Sequence, residues 1–156
     1  MSQEDTTQNH LQHLLKVSDF AVLATESEGQ PHTSLVTITP FEGGRQLIFA
    51  TYRSTRKHSN LAQNPQVSLL LDGRGAQSID GPVGLVASAL GRVREVGVTE
   101  QATLSQAHLQ RHPDLADFMA SADCVLLAVT IEAYQVVLGI EDATWWPVDA
   151  LCPNSK

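Results

Sequence analysis

Apolar and polar positions alternate along this chain in two periods, one helical and one of strands. Residues 6–17 put Leu11, Leu14, Leu15 and Val17 on one helical stripe, with Asp5 or Thr6 as the cap. Residues 19–26 (DFAVLATE) read as a buried strand. Residues 32–39 (HTSLVTIT) are β-branched and partly alternating, a second strand that ends at Pro40. Glu28-Gly29-Gln30 and residues 42–45 are tight turns, and a third strand covers 46–51. Links this short predict an antiparallel meander, because parallel pairing needs a longer crossover. A short helix over 58–63, or one beginning at Thr55, stops at Asn64-Pro65. A strand over 66–71 and a Gly-bearing loop over 72–82 follow. Residues 83–95 form a long strand with Gly91 as a bulge or point of close approach. Residues 99–111 are helical, capped by Thr99, with Ala102 and Leu109 on the inner side. Pro113 and Asp114 open a second short helix over 113–120. The last long strand spans 123–138, with Glu132 and Tyr134 facing outward. A turn at 139–142 and an extended segment at 143–148 complete the pattern. Six or seven strands with a leading helix and two inserted helices predict one small α+β barrel over residues 1–156.

Composition narrows this picture without altering it. Hydrophobic residues make up 42% and charged residues 17% of the 156, ordinary values for a chain long enough to bury a core. No apolar run approaches the ~20 residues of a membrane helix, so no membrane partner is expected. The acidic, polar start is unlike a secretory signal, and the expected location is the cytoplasm. Cys124 and Cys152 form no CxxC pair and are read as reduced thiols, Cys124 as a core residue. Ten Lys plus Arg against seventeen Asp plus Glu give a formal charge of −7. That balance argues against nucleic acid, whose binders carry a broad basic face.

One stretch breaks the acidic balance. Residues 47–61 (LIFATYRSTRKHSNL) begin as a strand and run into Arg53, Ser54, Thr55, Arg56, Lys57, His58 and Ser59. Three of the ten cations fall within five residues, a concentration that suits an anion. Arg supplies a planar fork for phosphate oxygens, Lys a point charge, and the hydroxyls neutral hydrogen bonds. A helix starting near Thr55 would add its free N–H groups and dipole. For a bare charge cluster, a solvated basic turn is the commoner reading. The remaining candidates point to no metal. His10 and His13, three apart, and His108 and His112, four apart, lack a third ligand and are expected to be surface pairs. Of Trp145 and Trp146, one is expected in the core and one over a subunit interface, or against a ligand there.

The order of these segments carries a resemblance. A leading helix is followed by a strand ending in AT, GQPHTSLV, the strand LIFAT and the loop RSTRKHSNL. NPQVSLLLD and a strand ending in GRVREV come next. The series resembles the pyridoxamine-phosphate-oxidase-like flavin-binding proteins, best over residues 11–95. The resemblance implies an antiparallel split β-barrel with flanking helices, a homodimer, and FMN bound at the dimer interface. By the same resemblance Thr55, Arg56 and Lys57 match the phosphate-gripping loop, with Arg53 as an additional partner. Ala50 and Thr51 match ligand-touching positions at the end of the preceding strand. Ser34, Leu35, Val36 and Thr37 match the strand along the isoalloxazine ring. The implied activity is an FMN-dependent oxidoreductase acting on a small molecule the sequence does not identify. No protein acid or base is required for hydride transfer to the flavin. His32, His58 and Tyr52 are expected to be structural or surface residues. Related branches of the same barrels bind haem or a deazaflavin, and a non-catalytic carrier is the alternative reading. The segment EDATWWP has no Arg or His after Trp146. It therefore departs from the Arg-x-His signature of the pyridoxamine-phosphate oxidases, so vitamin B6 oxidation is not expected.

Overall fold

A computed structural model of the chain describes residues 3–74, 84–139 and 142–150. The apolar stripe at 11, 14 and 15 drives the first element, helix α1 (Gln3–Val17), onto the barrel. Leu11, Leu14 and Leu15 are buried there, whereas Val17 is exposed. Strands β1 (Phe20–Ser27) and β2 (Gln30–Thr37) pair antiparallel across the Glu28-Gly29 turn. Next come β3 (Thr39–Phe41), a 3₁₀ turn (Glu42–Gly44), β4 (Gln46–Tyr52), α2 (Arg56–Gln63), β5 (Gln66–Asp72) and β6 (Leu85–Glu95). Helices α3 (Gln101–Arg111) and α4 (Ala116–Ala120), joined by a 3₁₀ turn at Pro113–Leu115, precede β7 (Cys124–Leu138) and β8 (Asp142–Pro147). The strands form one eight-stranded sheet in the order β2-β1-β5-β6-β7-β4-β3, with β8 on the far half of β7. Every pairing is antiparallel. The architecture is an α+β antiparallel split barrel with flanking helices, its interior filled by Leu23, Ile38, Phe49, Leu69, Leu71, Val129 and Ile131.

The expected three-strand meander does not form. The run 32–39 is two strands, and the chain leaves β2 at Ile38 to begin β3 on the opposite edge of the sheet. The Ile38 N–H is bonded to the Asp19 carbonyl at 2.9 Å, which closes the β1–β2 ladder at that point. Pro40 does not end the strand but sits inside β3, opposite Leu47. It is tolerated because β3 is an edge strand, where a missing N–H costs no ladder bond.

One further expectation is corrected by the phase of β7. Its odd residues Val125, Leu127, Val129 and Ile131 face the barrel core, while Leu126 and Ala128 face a second cluster with Ile48, Val96 and Leu104. At Gly91 the β6–β7 register shifts, Gly91 opposing Ile131 and Leu90 opposing Ala133, so Glu132 is the extra residue of a bulge. A Cβ on Gly91 would lie 2.2 Å from the Thr130 carbonyl oxygen, the close approach expected there. Past the bulge the even positions face inward, so Tyr134 is fully buried rather than outward. Its hydroxyl donates to the Gly44 carbonyl at 2.5 Å.

The second cluster lies under α3 and α4, which cover the outer faces of β4 and β7. Leu104 and His108 are the buried residues of α3, and Ala102 is exposed. Glu100, not Thr99, stands at the N-cap and makes no capping bond; its carboxylate accepts from Arg94 at 2.7 Å. Trp146 is buried and Trp145 exposed. Cys124 is half-buried, and burial raises its thiol pKa. Cys152 and most of the 72–82 loop lie outside the described residues.

Candidate functional site

The split between β2 and β4, strands that do not pair with each other, holds a cavity of about 250 Å³. Leu35, Val36 and Thr37 of β2 line one side, and Ala50, Thr51 and Tyr52 of β4 another. Thr55 and Lys57 stand at the start of α2, and His108, Leu115 and Phe118 come from the α3–α4 segment. Of the residues named from sequence, the cavity thus gathers Leu35, Val36, Thr37, Ala50, Thr51, Thr55 and Lys57. Ser34 does not line it, and its hydroxyl is buried without a hydrogen-bond partner among the described residues.

The basic loop divides by charge state of its partners. Arg53 donates to both oxygens of Glu95, and this pairing lowers the Glu95 pKa below the usual carboxylate range. Ser54 donates to Asp123 at 2.8 Å. Arg53 is therefore engaged within the chain. Neither Arg56 nor Lys57 has an ion pair among the described residues. They lie on two sides of Thr55. Lys57 lines the cavity, and Arg56 lines an adjoining open depression of about 680 Å³ with Ser54, Ser59, Asn60 and Gln63. Thr55 borders both. It caps α2, accepting from the His58 N–H at 3.3 Å and donating to the Tyr52 carbonyl at 2.9 Å. The helix is fastened to β1 by Asn60 donating to Thr25 at 3.0 Å and Asn64 donating to Glu26 at 2.7 Å. An anchored, capped helix start with two unpaired cations can hold an anion in fixed geometry.

The opposite wall holds residues that sequence reasoning did not connect with the site. His108 and His112 are buried, not a surface pair. Docking of α3 over β3 sets them against the strand switch. His108 Nδ1 lies 2.7 Å from the Thr39 hydroxyl, and His112 Nε2 donates to the Ile38 carbonyl at 2.6 Å. The two rings meet edge-on at 5.1 Å. Burial, then the neighbouring His112 and Arg111, lower the His108 pKa to about 4, which keeps the ring neutral. Tyr52 packs on Phe118 with ring centroids 4.4 Å apart. The i,i+4 spacing of Leu104 and His108 is the sequence signal that could have placed His108 on the inner face.

Residues 7–138 match the family model described as pyridoxamine 5′-phosphate oxidase. The chain belongs to that family. A pyridoxamine 5′-phosphate oxidase homolog of Schizosaccharomyces pombe is 34% identical over 71 residues, which cover 40% of this chain and 37% of the relative. The chain thus matches little more than a third of that relative's length. A haem-binding protein from Mycobacterium smegmatis superposes with a TM-score of 0.81 at 18% identity, covering 93% of this chain and 59% of that one. An FAD-binding protein from Mesorhizobium loti gives 0.65 at 18% identity, over 86% and 92% of the two chains. At these identities the likeness is one of fold. No helix among the described residues is long and apolar enough to cross a membrane.

Proposed function

We propose that the chain binds FMN in the split between β2 and β4 and acts as an FMN-dependent oxidoreductase. The observation that carries this reading is the pair of cations without ion pairs among the described residues, Arg56 and Lys57, at the capped start of α2 beside a cavity lined by apolar and polar side chains together. A phosphate near two units of negative charge needs such cations and donors. A planar ring needs an apolar wall with a few polar contacts, which Leu35, Val36 and Ala50 with Thr37 and Thr51 provide. Thr55, bordering both spaces, stands where ring and phosphate ends of one molecule join.

A homodimer is part of the same reading. Leu35 is 67% exposed, Phe20 56% and Leu70 39%. Leu35 and Leu70 both register with Val22, so the three lie in one row across β2, β1 and β5. A second copy seated on that row would also close the cavity that Leu35 lines. Bound flavin would supply the hydride chemistry, while the chain orients the ring, grips the phosphate and excludes water. A haem carrier is the second reading, favoured by the haem-binding neighbour from Mycobacterium smegmatis.

The test is visible absorption and fluorescence titration with FMN. Arg56→Ala with Lys57→Ala should abolish most FMN affinity, each charge-assisted bond contributing about 1.5–3 kcal/mol, with melting temperature retained. Unchanged affinity would reject the phosphate assignment. A Soret band with added haem and no FMN uptake would favour the second reading.

A further inference from the structure

The α3–α4 segment adds a wall to the cavity that the basic loop and β2 do not account for. Leu115 and Phe118 make that wall apolar, Phe118 packing on Tyr52 of β4, and His108 is the one imidazole among the cavity's lining residues. The histidine is fully buried. One ring nitrogen, Nδ1, is committed to the Thr39 hydroxyl at 2.7 Å. The other, Nε2, is buried with no hydrogen-bond partner among the described residues. An unmade bond of this kind is unfavourable, and His108 lines the cavity, so a ligand that reaches Nε2 would bring the missing partner.

We propose that His108 Nε2 hydrogen-bonds the polar edge of a planar nitrogen heterocycle seated in the cavity, and so selects the ring rather than the phosphate. Two arguments define the heterocycle. The cavity of about 250 Å³ is of a size for one ring system, with Tyr52 and Phe118 beside it. The Thr39 hydroxyl can donate to Nδ1 or accept from it, so Nε2 is a donor in one tautomer and an acceptor in the other. A ring edge that carries a carbonyl next to an N–H meets Nε2 in either case. A cyclic amide or imide has that edge; a hydrocarbon ring does not. Holding Nδ1 on Thr39 also fixes the plane of the imidazole, and the Ile38 carbonyl beside it is already taken by His112. His108 is therefore a specificity residue for the ring portion of the ligand, supplied by a segment separate from the basic loop.

This inference rests on the flavin reading for the identity of the ring, and the experiment separates the two. Lumiflavin, which has the ring without ribityl phosphate, is titrated beside FMN into the full-length protein. The variants are His108→Asn, which keeps a polar atom near Nδ1 and removes Nε2, and His108→Gln, which returns a polar atom near Nε2. In the wild type, lumiflavin should bind and move the His108 Nε2 resonance in nitrogen-15 spectra, a shift that a purely structural histidine would not show. His108→Asn should weaken lumiflavin about tenfold, one hydrogen bond's worth, with His108→Gln recovering part of it. The Arg56→Ala, Lys57→Ala variant should bind lumiflavin as the wild type does while losing FMN. Equal lumiflavin affinity in His108→Asn and wild type, with both folded, would overturn the assignment of His108 and leave the phosphate site standing. FMN binding without any lumiflavin binding would overturn it as well. Lumiflavin binding through His108 with no preference for FMN would support the ring contact and reject the phosphate reading. Haem binding whose Soret band shifts in His108→Asn would overturn the heterocycle in favour of iron at Nε2.

Discussion

A buried neutral histidine makes stability depend on pH. Burial, with His112 and Arg111 beside it, lowers the His108 pKa from 6.5 to about 4. Thr39 faces it from β3, and Lys57 stands on another wall of the same cavity. In the unfolded chain the imidazole takes up its proton near pH 6.5; in the folded chain it does so only near 4. The unfolded state therefore binds more protons between those values, and folding free energy falls as pH drops through that window. The loss approaches about 3 kcal/mol and levels off below pH 4. Urea unfolding of wild type and His108→Gln at pH 7 and pH 4.5 should show the wild type losing more stability. Parallel losses would reject the assignment. At this scale the sequence disclosed charge but not burial. Thr55, Arg56 and Lys57 stood out because cations are scarce in this chain. His108, His112 and Tyr134 did not, because their burial is decided by where α3 docks and by a bulge that reverses the facing of β7.

The start of α2 tests how one element positions the site. Thr55→Ala removes the cap bond to the His58 N–H and the bond to the Tyr52 carbonyl. A lost cap costs about 1 kcal/mol, so the melting temperature should fall by about 3 °C, and Thr55→Ser should restore it. FMN affinity should fall in parallel if the phosphate is held as proposed, since the helix start frays there. A Thr55→Ala protein that melts as the wild type does would show that α2 is held by Asn60 and Asn64 alone. Most elements were legible from their periodicity, including α1, β5, β6 and α2 itself. The division of residues 32–39 was not. β-branched residues run without a break from Val36 to Thr39, across the point of division, and Pro40 reads as a terminator unless the strand is known to lie at an edge. The partnership of β4 with β7 was hidden for a related reason: short links suggest neighbours, and here the neighbour comes from far along the chain.

For the whole molecule, the exposed apolar side chains of Phe20, Leu35 and Leu70 on β1, β2 and β5 are the feature that bears on assembly. Leu35→Asp should shift sedimentation toward the monomer and weaken FMN binding together, because the same residue lines the cavity. A wild-type monomer would reject the dimer, and a dimer indifferent to that change would place the interface elsewhere. The path of β4 has a consequence for the order of biosynthesis. Its ladder partner is β7, Gln46 opposing Thr130 and Tyr52 opposing Cys124, and the α3–α4 wall lies between them in sequence. A chain emerging from the ribosome carries Leu35, Ala50 and Lys57 early, yet holds β4 only through the three-residue β3 until the α3–α4 wall and then β7 have been made. Such distant pairing forms slowly, after nearer contacts. The pocket is thus complete only after β7 has been synthesised, and a ligand can be held there only from that point on.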